Sequence, residues 1–418
     1  MSRIAVIGAG ITGVTTAYAL AEQGLHVTVL ERGRYPAMET SFANGGQLSA
    51  CNAEVWNSWG TVLKGLKWMF RPDAPLLMSP WPSWHKYSWL AEFVANIPNY
   101  EANTLRTVEL AIRGREYMFE VARREKIAFD HERRGILHVF RNEAEFAKAE
   151  RVNTILNRAG LDRHAVTSEE IRWIEPACPA HFYGGFFTPS DSSGDIHKFT
   201  VGLAEACKRR GVRFVQEAEV QMLTHHGGRV EICYRPTETR RDAQREVIEA
   251  EGVVICAGVA SRNFAAMLGD RVNIYPVKGY SITVHLDGEQ SQAAAPWVSL
   301  LDESVKIVTS RLGADRFRVA GTAEFNGENR DIRAERIRPL VRWVERLFPD
   351  VSTECIVPWA GLRPMMPDML PRVGPGSKSG VFYNTGHGHL GWTLCAATAQ
   401  IVAAQVAETF QRPLANVA

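Results

Sequence analysis

The chain has 418 residues, of which 45% are hydrophobic and 22% charged, and its 48 basic and 46 acidic side chains leave a formal net charge of +2. This length exceeds the usual limit for one hydrophobic core, so we expect two domains. The balanced charge gives no support to nucleic-acid binding. Seven dispersed cysteines without CxxC spacing argue against a disulfide scaffold or a zinc site, and they indicate a reducing, cytoplasmic compartment.

Two uncharged segments, 4–21 and 390–407, have the apolar character of export or membrane signals. The first contains three glycines, which are unusual in a hydrophobic export helix. The second contains two glutamines and two threonines, which make it a poor bilayer span. We therefore predict that the second segment is a buried helix and that neither segment makes this an integral membrane protein.

The first thirty residues have the pattern of a strand, a glycine turn, a helix and a second strand. Residues 4–7 form a short apolar run suited to a buried parallel strand. The turn GAGITG matches G-x-G-x-x-G, in which backbone approaches a pyrophosphate at the positive end of a helix. The predicted contacts with a dinucleotide are Gly8, Gly10, Ile11, Thr12 and Gly13. An ordinary glycine turn in an α/β unit is the alternative.

The second strand, residues 27–30, ends in Glu31, which stands 23 residues after Gly8. A carboxylate at this place accepts hydrogen bonds from a ribose 2′-hydroxyl. We expect Glu31 and its neighbour Arg32 at the ligand. Because a carboxylate disfavours a 2′-phosphate, the pattern predicts FAD or NAD and not NADP.

Later segments favour FAD over NAD. The loop SFANGGQ (41–47) can bring backbone close to a flat ligand, and GVVICAG (252–258) is a second buried strand pattern. NTGHGHLGWT (384–393) opens an apolar helix whose positive end suits a reduced, anionic flavin; a glycine-rich helix cap is the alternative. The further predicted cofactor contacts are Ser41, Asn44, Gly45, Gly46, Gln47, Val220, Ala257, Gly258, Gly361, Gly386, His387, Gly388, Leu390, Gly391, Trp392 and Thr393.

These motifs, in this order, resemble the D-amino acid oxidase/glycine oxidase/sarcosine oxidase superfamily, and within it the bacterial D-amino acid dehydrogenases. The similarity extends through KWMF (67–70), GGFFTPSDSSGD (184–195), PVKGYS (276–281), LDESVKIVTSR (301–311) and GLRPMMPD (361–368). It implies an α/β (α+β) fold class. A Rossmann-like, discontinuous FAD domain would comprise 1–50, 150–270 and 356–418. A substrate domain with a large, mostly antiparallel sheet would comprise 51–149 and 271–355.

Two strand patterns agree with this division. Residues 306–321 have the pattern of a hairpin around the turn 312–315. Residues 229–236 and 246–256 have the pattern of strands around a charged tip, TETRRDAQRE, that we interpret as solvated.

The resemblance also implies the chemistry. Members of the superfamily oxidise amines by hydride transfer from Cα to the flavin, and the imino acid then hydrolyses to a 2-oxo acid and ammonia. They bind the substrate carboxylate through an arginine at the G-x-R-P position, which is Arg363 here, helped by an aromatic hydroxyl, for which Tyr280 is the candidate. The alternatives are a structural pair of Arg363 with Asp368 or a backbone carbonyl, and a core role for Tyr280.

Further predictions concern the surroundings of the arginine. Met365 would form an adaptable substrate wall, His387 would contact the substrate and the flavin mainly through its backbone, and Lys278 would be exposed or near the flavin edge. Because WAGLRPMMPD contains no cysteine, the resemblance implies non-covalent FAD. No general base is evident from the sequence.

Six tryptophans interleaved with basic residues lie in segment 56–89. This composition is typical of a membrane-interface contact, which would let a protein on the cytoplasmic face of the inner membrane pass electrons to quinone or another acceptor. The alternative is an irregular lid over the substrate domain, and oxygen remains open as an acceptor. Other functions left open are a D-hydroxyproline/D-proline dehydrogenase, a secondary-amine oxidase, and a flavin-carrying subunit of a hetero-oligomeric complex.

Overall fold

The computed structural model describes residues 2–68, 75–179, 181–237 and 245–411. Residues 69 and 70 of the KWMF motif, Arg71 and the charged tip 238–244 lie outside the described residues, as do the side chains of Lys67 and Trp68. The helices are α1 Ile11–Glu22, α2 Trp59–Trp68, α3 Trp84–Ala95, α4 Tyr100–Arg124, α5 Glu143–Arg158, α6 Ser168–Ile174, α7 Ile196–Arg209, α8 Ser261–Met267, α9 Glu289–Ala294, α10 Ala334–Leu347 and α11 Gly391–Gln411.

Most of the strands belong to two large sheets. In chain order the strands are β1 Arg3–Ile7, β2 His26–Leu30, β3 Gln47–Leu48, β4 Leu76–Met78, β5 Ile136–Phe140, β6 His164–Thr167, β7 Gly184–Thr188, β8 Ser192–Ser193, β9 Arg213–Val215, β10 Ala218–His226, β11 Arg229–Pro236, β12 Glu246–Ala250, β13 Gly252–Ile255, β14 Tyr275–His285, β15 Ser299–Asp302, β16 Ile307–Arg311, β17 Arg316–Phe325, β18 Ile356–Met365, β19 Arg372–Pro375 and β20 Val381–Thr385.

The first large sheet has six strands in the order β19-β20-β13-β1-β2-β9, and all neighbours except β19 and β20 run parallel. The central strand β1 is buried on both faces because successive side chains of a strand alternate. Ile4 and Val6 enter one core cluster, and Ala5 and Ile7 enter another. The predicted strand–turn–helix–strand unit is therefore confirmed, as is the predicted strand in 252–258.

The second large sheet has nine strands in the order β18-β14-β17-β16-β15-β5-β7-β6, with β4 beside β17. It is mostly antiparallel; β15 with β5 and β17 with β4 are its parallel pairs. The predicted hairpin around 312–315 is confirmed as β16 and β17, and the predicted pair β11 and β12 lies in a separate three-stranded sheet. Helix α10 covers one face of the nine-stranded sheet through an apolar stripe. The fold class is thus the predicted one.

The predicted segment boundaries differ from the sheets at two places. Strands β6 and β7 fall in 150–270, and β18 falls in 356–418, segments that the sequence assigned to the FAD domain. All three belong to the nine-stranded sheet: β7 pairs with β5, and β18 pairs with β14 along ten residues. The boundaries at 150 and 356 are therefore wrong for these strands. Strand pairing over such separations leaves no local mark in the sequence.

The C-terminal apolar segment is the predicted buried helix, α11, which packs against α1 and α4. In the described part of the chain, one stretch, Gly388–Gln411, is long and apolar enough to cross a membrane. Of its most apolar window, 72% is buried inside the protein. Its apolar side chains therefore pack in the core cluster that also contains residues of α1.

Candidate active site

A cavity of about 1020 Å³ is lined by residues from both large sheets and from both ends of the chain. This volume lies at the upper end of the range for small-molecule sites, so it has room for a large ligand. One end begins at the glycine turn between β1 and α1, and the opposite end lies between α2 and α5.

The glycine turn at the first end is shaped as the sequence predicted. Gly8 has φ +101°, and a Cβ on Gly13 would stand 1.9 Å from the carbonyl oxygen of Gly8. Gly10 supplies no side-chain cap to α1, whose first turn has no acidic residue, and the backbone N–H of Ile11 donates to Ser41 Oγ at 3.0 Å. Backbone N–H groups and the positive end of the helix dipole are therefore available to a pyrophosphate.

Glu31 lies at the end of β2 and lines the cavity. Its carboxylate accepts hydrogen bonds from the backbone N–H of Ala9 and of Gly33, both at 2.7 Å. Burial raises the pKa of Glu31. Its neighbour Arg32 also lines the cavity and forms an ion pair with Glu39. This arrangement suits the ribose end of a dinucleotide.

The loop 41–47 lies between the two sheets and is held by the nine-stranded one. Ser310 donates its hydroxyl hydrogen bond to the carbonyl of Gly45 at 2.7 Å, and Ser281 donates to the carbonyl of Ala43 at 2.7 Å. Gly46 has φ +73°, and a Cβ there would stand 2.9 Å from Ser310. The glycines thus allow a close approach of backbone to the cavity.

The start of α11 supplies a second helix N-terminus to the cavity, and Gly388 and Trp392 line it. His387 is buried, which lowers its pKa to about 3, and its Nε2 bonds the hydroxyl of Thr398 at 2.9 Å. The ring is therefore neutral. A cradle of backbone at one end and a helix N-terminus at the other fit an FAD.

Of the predicted cofactor residues, all except Gly13 and Thr393 line the cavity. Gly13 packs the helix against the turn, and Thr393 accepts a hydrogen bond from the backbone N–H of Ser49. Two cysteines that the sequence did not single out, Cys51 and Cys256, also line the cavity. Burial raises the pKa of both, so they are thiols and not thiolates at neutral pH.

Arg363, on β18, lines the cavity and is enclosed by protein. Its Nη1 donates a hydrogen bond to the carbonyl of Thr322 at 3.1 Å, and no carboxylate of the described residues forms an ion pair with it. Burial lowers the pKa of Arg363 to about 10. Asp368, considered as a partner, instead accepts from the backbone N–H of Leu370. Arg363 is therefore a half-buried cation that faces the cavity, and its remaining donors are free for an anion.

Two neighbours shape the position of this arginine. A Cβ on Gly279 would stand 2.3 to 2.7 Å from three atoms of the guanidinium, so the side chain rests directly on the glycine. Thr322 has φ +60°, which is rare for a β-branched residue and costs on the order of 1–3 kcal/mol. This backbone turn accompanies the carbonyl that holds Arg363. The sequence prediction missed both residues.

The structure does not bring Tyr280 together with Arg363. Arg363 pairs with Val277 and Tyr280 pairs with Ala360 in an unbroken register, and alternation therefore places their side chains on opposite faces of the sheet. The hydroxyl of Tyr280 donates to Glu324 at 2.6 Å, so the predicted contact with a substrate carboxylate is wrong for this geometry.

Two further predictions are corrected nearby. Lys278, expected to be exposed or near the flavin edge, is fully buried and forms an ion pair with Glu324 at 3.6 Å. Met365, expected to form a substrate wall, packs in a core cluster with Trp89 and does not line the cavity. Met365 ends its strand, and its carbonyl accepts from the indole of Trp89 at 2.8 Å.

His389 and Trp56 form a wall of the cavity beyond Arg363. Their rings stack with centroids 4.6 Å apart, and His389 Nε2 donates to the carbonyl of Asn52 at 3.2 Å. Burial lowers the pKa of His389 to about 4, so the ring is neutral. The stacked rings therefore form an uncharged part of the cavity wall.

A charged cluster lines the cavity farther from the glycine turn. Glu303 bonds His138 at 3.2 Å and forms an ion pair with Lys306, while Glu54 accepts from the hydroxyl of Tyr100 at 2.7 Å. No sequence motif marks this cluster, because its members come from separate segments of the chain.

Comparisons with known proteins agree with this geometry. A model of the FAD dependent oxidoreductase (DAO) family matches residues 3–405. The chain is 62% identical over 407 residues to D-amino acid dehydrogenase 3 of Mesorhizobium japonicum, covering 97% of each chain. It is 42% identical over 409 residues to a D-amino acid dehydrogenase of Paramagnetospirillum magneticum, covering 96% of this chain and 94% of that one.

Solved structures show the same fold. Glycine oxidase from Geobacillus kaustophilus superposes with a TM-score of 0.75 at 20% identity, over 98% of this chain and 96% of that one. L-proline dehydrogenase from P. horikoshii also gives a TM-score of 0.75, at 18% identity, over 97% and 93% of the two chains. The chain therefore belongs to the FAD-dependent oxidoreductase (DAO) family.

Proposed function

We propose that this protein is a D-amino acid dehydrogenase that binds its substrate by the α-carboxylate at Arg363 and converts it to a 2-oxo acid and ammonia. The observation that carries the proposal is a half-buried guanidinium that lines the cavity without an acidic partner among the described residues. The relatives named D-amino acid dehydrogenase, at 62% and 42% identity, support the substrate class and its stereochemistry.

The residues of the chain position both partners of the reaction. The glycine turn and Glu31 would hold the pyrophosphate and ribose of FAD, and loop 41–47 with the start of α11 would hold the flavin. Bound FAD supplies the acceptor for the hydride that leaves the substrate Cα. The positive end of α11 favours negative charge in the group held beside it.

The protein contributes orientation and exclusion of water. A guanidinium meets a carboxylate through two parallel hydrogen bonds, which fixes the direction of the Cα–H bond as well as the charge. Gly279 and the carbonyl of Thr322 keep the guanidinium in place. The amine reacts as the free base after it loses a proton to solvent. Burial lowers the pKa of His387 to about 3 and that of His389 to about 4, so neither ring is assigned as its base.

A substrate panel tests the proposal. We expect the purified holoprotein to oxidise D-alanine and other D-amino acids with a dye acceptor, and to leave the L-enantiomers unreacted. D-proline, hydroxyproline and sarcosine in the same panel distinguish an enzyme specific for secondary amines. Oxidation of L-amino acids, or of sarcosine alone, would contradict the proposal. Full activity of the lone chain would exclude a role only as a subunit.

We also propose that the reduced enzyme passes its electrons to quinone at a membrane surface. Four large apolar side chains near α2 and α3 are strongly exposed: Trp59 at 61%, Leu63 at 65%, Trp81 at 79% and Trp84 at 85%. Indole rings favour the headgroup level of a bilayer. Trp89 and Lys86 are buried and Trp56 lines the cavity, so these three residues do not contribute. Over the described residues, the segment forms α2, the short strand β4 and the beginning of α3.

A further inference from the structure

Exposed residues line the cavity in two regions, beside the glycine turn and on α2 and α5, and each region is a candidate opening to the surface. The first opening lies beside the glycine turn, where Glu39 forms ion pairs with both Arg32 and Arg330. A dinucleotide held by the glycine turn and Glu31 would occupy this region. The second opening lies between α2 and α5, where Lys64 and Lys148 are exposed and line the cavity. A substrate has to use the opening that the dinucleotide leaves free.

The rim of this second opening carries ammonium groups from two elements. Lys148, on α5, lies close to the beginning of α2, because a Cβ on Gly60 would stand 3.5 Å from its Nζ. Lys64 is on α2, and its pKa is lowered by burial and by repulsion from Lys148 and Lys306. No carboxylate of the described residues forms an ion pair with Lys64 or Lys148. Both charges are therefore open to a passing ion.

The acidic groups near the opening are less available than the lysines. Glu303 is engaged by Lys306 and His138, and Glu54 accepts from Tyr100. One carboxylate oxygen of Glu145 is buried without a hydrogen-bond partner in the described part of the protein. Since Lys306 is paired with Glu303, Lys64 and Lys148 are the exposed lysines of this lining that have no ion pair with a carboxylate of the described residues. Like charges at a narrow opening raise the local concentration of anions and lower that of cations.

We propose that amino acids enter and 2-oxo acids leave between α2 and α5, and that Lys64 and Lys148 make this entrance favour anionic over cationic substrates. The inference rests on the proposed function for the identity of the substrate. Lys306, which is exposed and forms an ion pair with Glu303, and the carboxylate of Glu54 line the same cavity.

The double charge reversal Lys64→Glu with Lys148→Glu tests the entrance. Anaerobic reduction of the bound FAD is followed with D-aspartate, D-alanine and D-lysine at low ionic strength. We expect the apparent second-order rate constant for D-aspartate to fall relative to that for D-lysine by about tenfold, with D-alanine little changed. The effect should shrink in high salt, where charges are screened. The matched control, Lys126→Glu with Lys378→Glu, changes the net charge equally at exposed sites elsewhere.

Dithionite, an anionic reductant, serves as a second probe that needs no substrate recognition. We expect the reversal to slow reduction of FAD by dithionite about tenfold, while the control pair leaves the rate unchanged. If D-aspartate and D-lysine react too slowly for their rate constants to be compared, the rate with dithionite alone tests whether the two lysines favour anions. If the double reversal changes neither the ratio of the D-aspartate rate constant to the D-lysine rate constant nor the rate with dithionite, the proposed entrance is wrong. A wild-type protein that D-alanine fails to reduce, yet with the expected dithionite effect, would contradict the proposed function and not the entrance.

Discussion

At the scale of single residues, the position of Arg363 depends on the absence of a side chain opposite it. The guanidinium lies on Gly279, and the three nearest neighbours of a Cβ at that glycine would all be guanidinium atoms. Such a contact involves the far end of a flexible side chain and not backbone. The glycine can therefore be changed without disturbing the sheet, and the change acts on the arginine alone.

We expect Gly279→Ala to raise the KM for D-alanine by at least about tenfold, because the new methyl group displaces the guanidinium and weakens one charge-assisted hydrogen bond of about 1.5–3 kcal/mol. FAD content and thermal stability should stay near those of the wild type. Steady-state kinetics with a dye acceptor, together with the flavin-to-protein ratio, measure both. A double variant with Arg363→Ala should be no worse than Arg363→Ala alone; additive losses would mean that Gly279 acts on something else.

The same region shows what sequence can and cannot predict about single residues. Arg363 was predictable because G-x-R-P is a local motif. The role of Tyr280 was not, because a one-residue step along a strand moves a side chain to the other face. Because side chains alternate along PVKGYS, positions 279 and 280 lie on opposite faces of the sheet. The sequence does not show which of the two faces lines the cavity. Thr322 gave no signal, since its positive φ follows from an irregular register between β14 and β17.

At the scale of elements, the unit from β1 to β2 was fully predictable because each of its parts is specified locally. Apolar runs set the strands, glycines set the turn, and Glu31 marks the end of β2. The glycines have different tasks. Gly13 is required by the fold itself, whereas a Cβ on Gly10 would meet only Ser41 Oγ, at an ordinary 3.5 Å.

We therefore expect opposite outcomes for two similar substitutions. Gly13→Ala should lower the free energy of unfolding by about 3 kcal/mol or more, since its methyl group would stand 1.9 Å from a carbonyl oxygen. Gly10→Ala should leave the FAD-free protein stable while weakening FAD binding, because only the ligand needs that space. Denaturant unfolding without FAD and titration with FAD distinguish them. Equal loss of stability in both variants would contradict this division of roles.

The strands that the sequence assigned to the wrong domain are those that pair with distant segments of the chain. Strand β18 pairs with β14 across about eighty residues, and β7 pairs with β5 across α5, β6 and α6, so the boundaries predicted at 150 and 356 cut through one sheet. The residue pattern of a segment predicts that the segment is a strand, but it does not predict which other strand it pairs with.

At the scale of the whole molecule, the cavity exists only because both ends of the chain and both sheets meet around it. The charged cluster of Glu54, His138 and Glu303 was therefore beyond prediction from motifs. The exposed apolar side chains near α2 and α3 are another feature of the whole surface, since the sequence predicted the tryptophan-rich segment but not which tryptophans face outward.

We expect the protein to sediment with vesicles of mixed anionic and zwitterionic lipids, because exposed indole rings gain free energy at the headgroup level. Trp81→Ser with Trp84→Ser should reduce the bound fraction severalfold without changing dye-linked activity in solution. Trp173→Ser is a matched control, since Trp173 is 79% exposed on a different helix. Equal binding by all three proteins would contradict a membrane role for this surface.

The most direct measurement of the central claim is anaerobic reduction of bound FAD by D-alanine in the wild type and in Arg363→Ala. Loss of two charge-assisted hydrogen bonds, at about 1.5–3 kcal/mol each, should raise the D-alanine concentration for half-maximal reduction at least about 100-fold, with FAD still bound. A variant that is reduced at the wild-type concentration of D-alanine would show that Arg363 does not hold the substrate carboxylate.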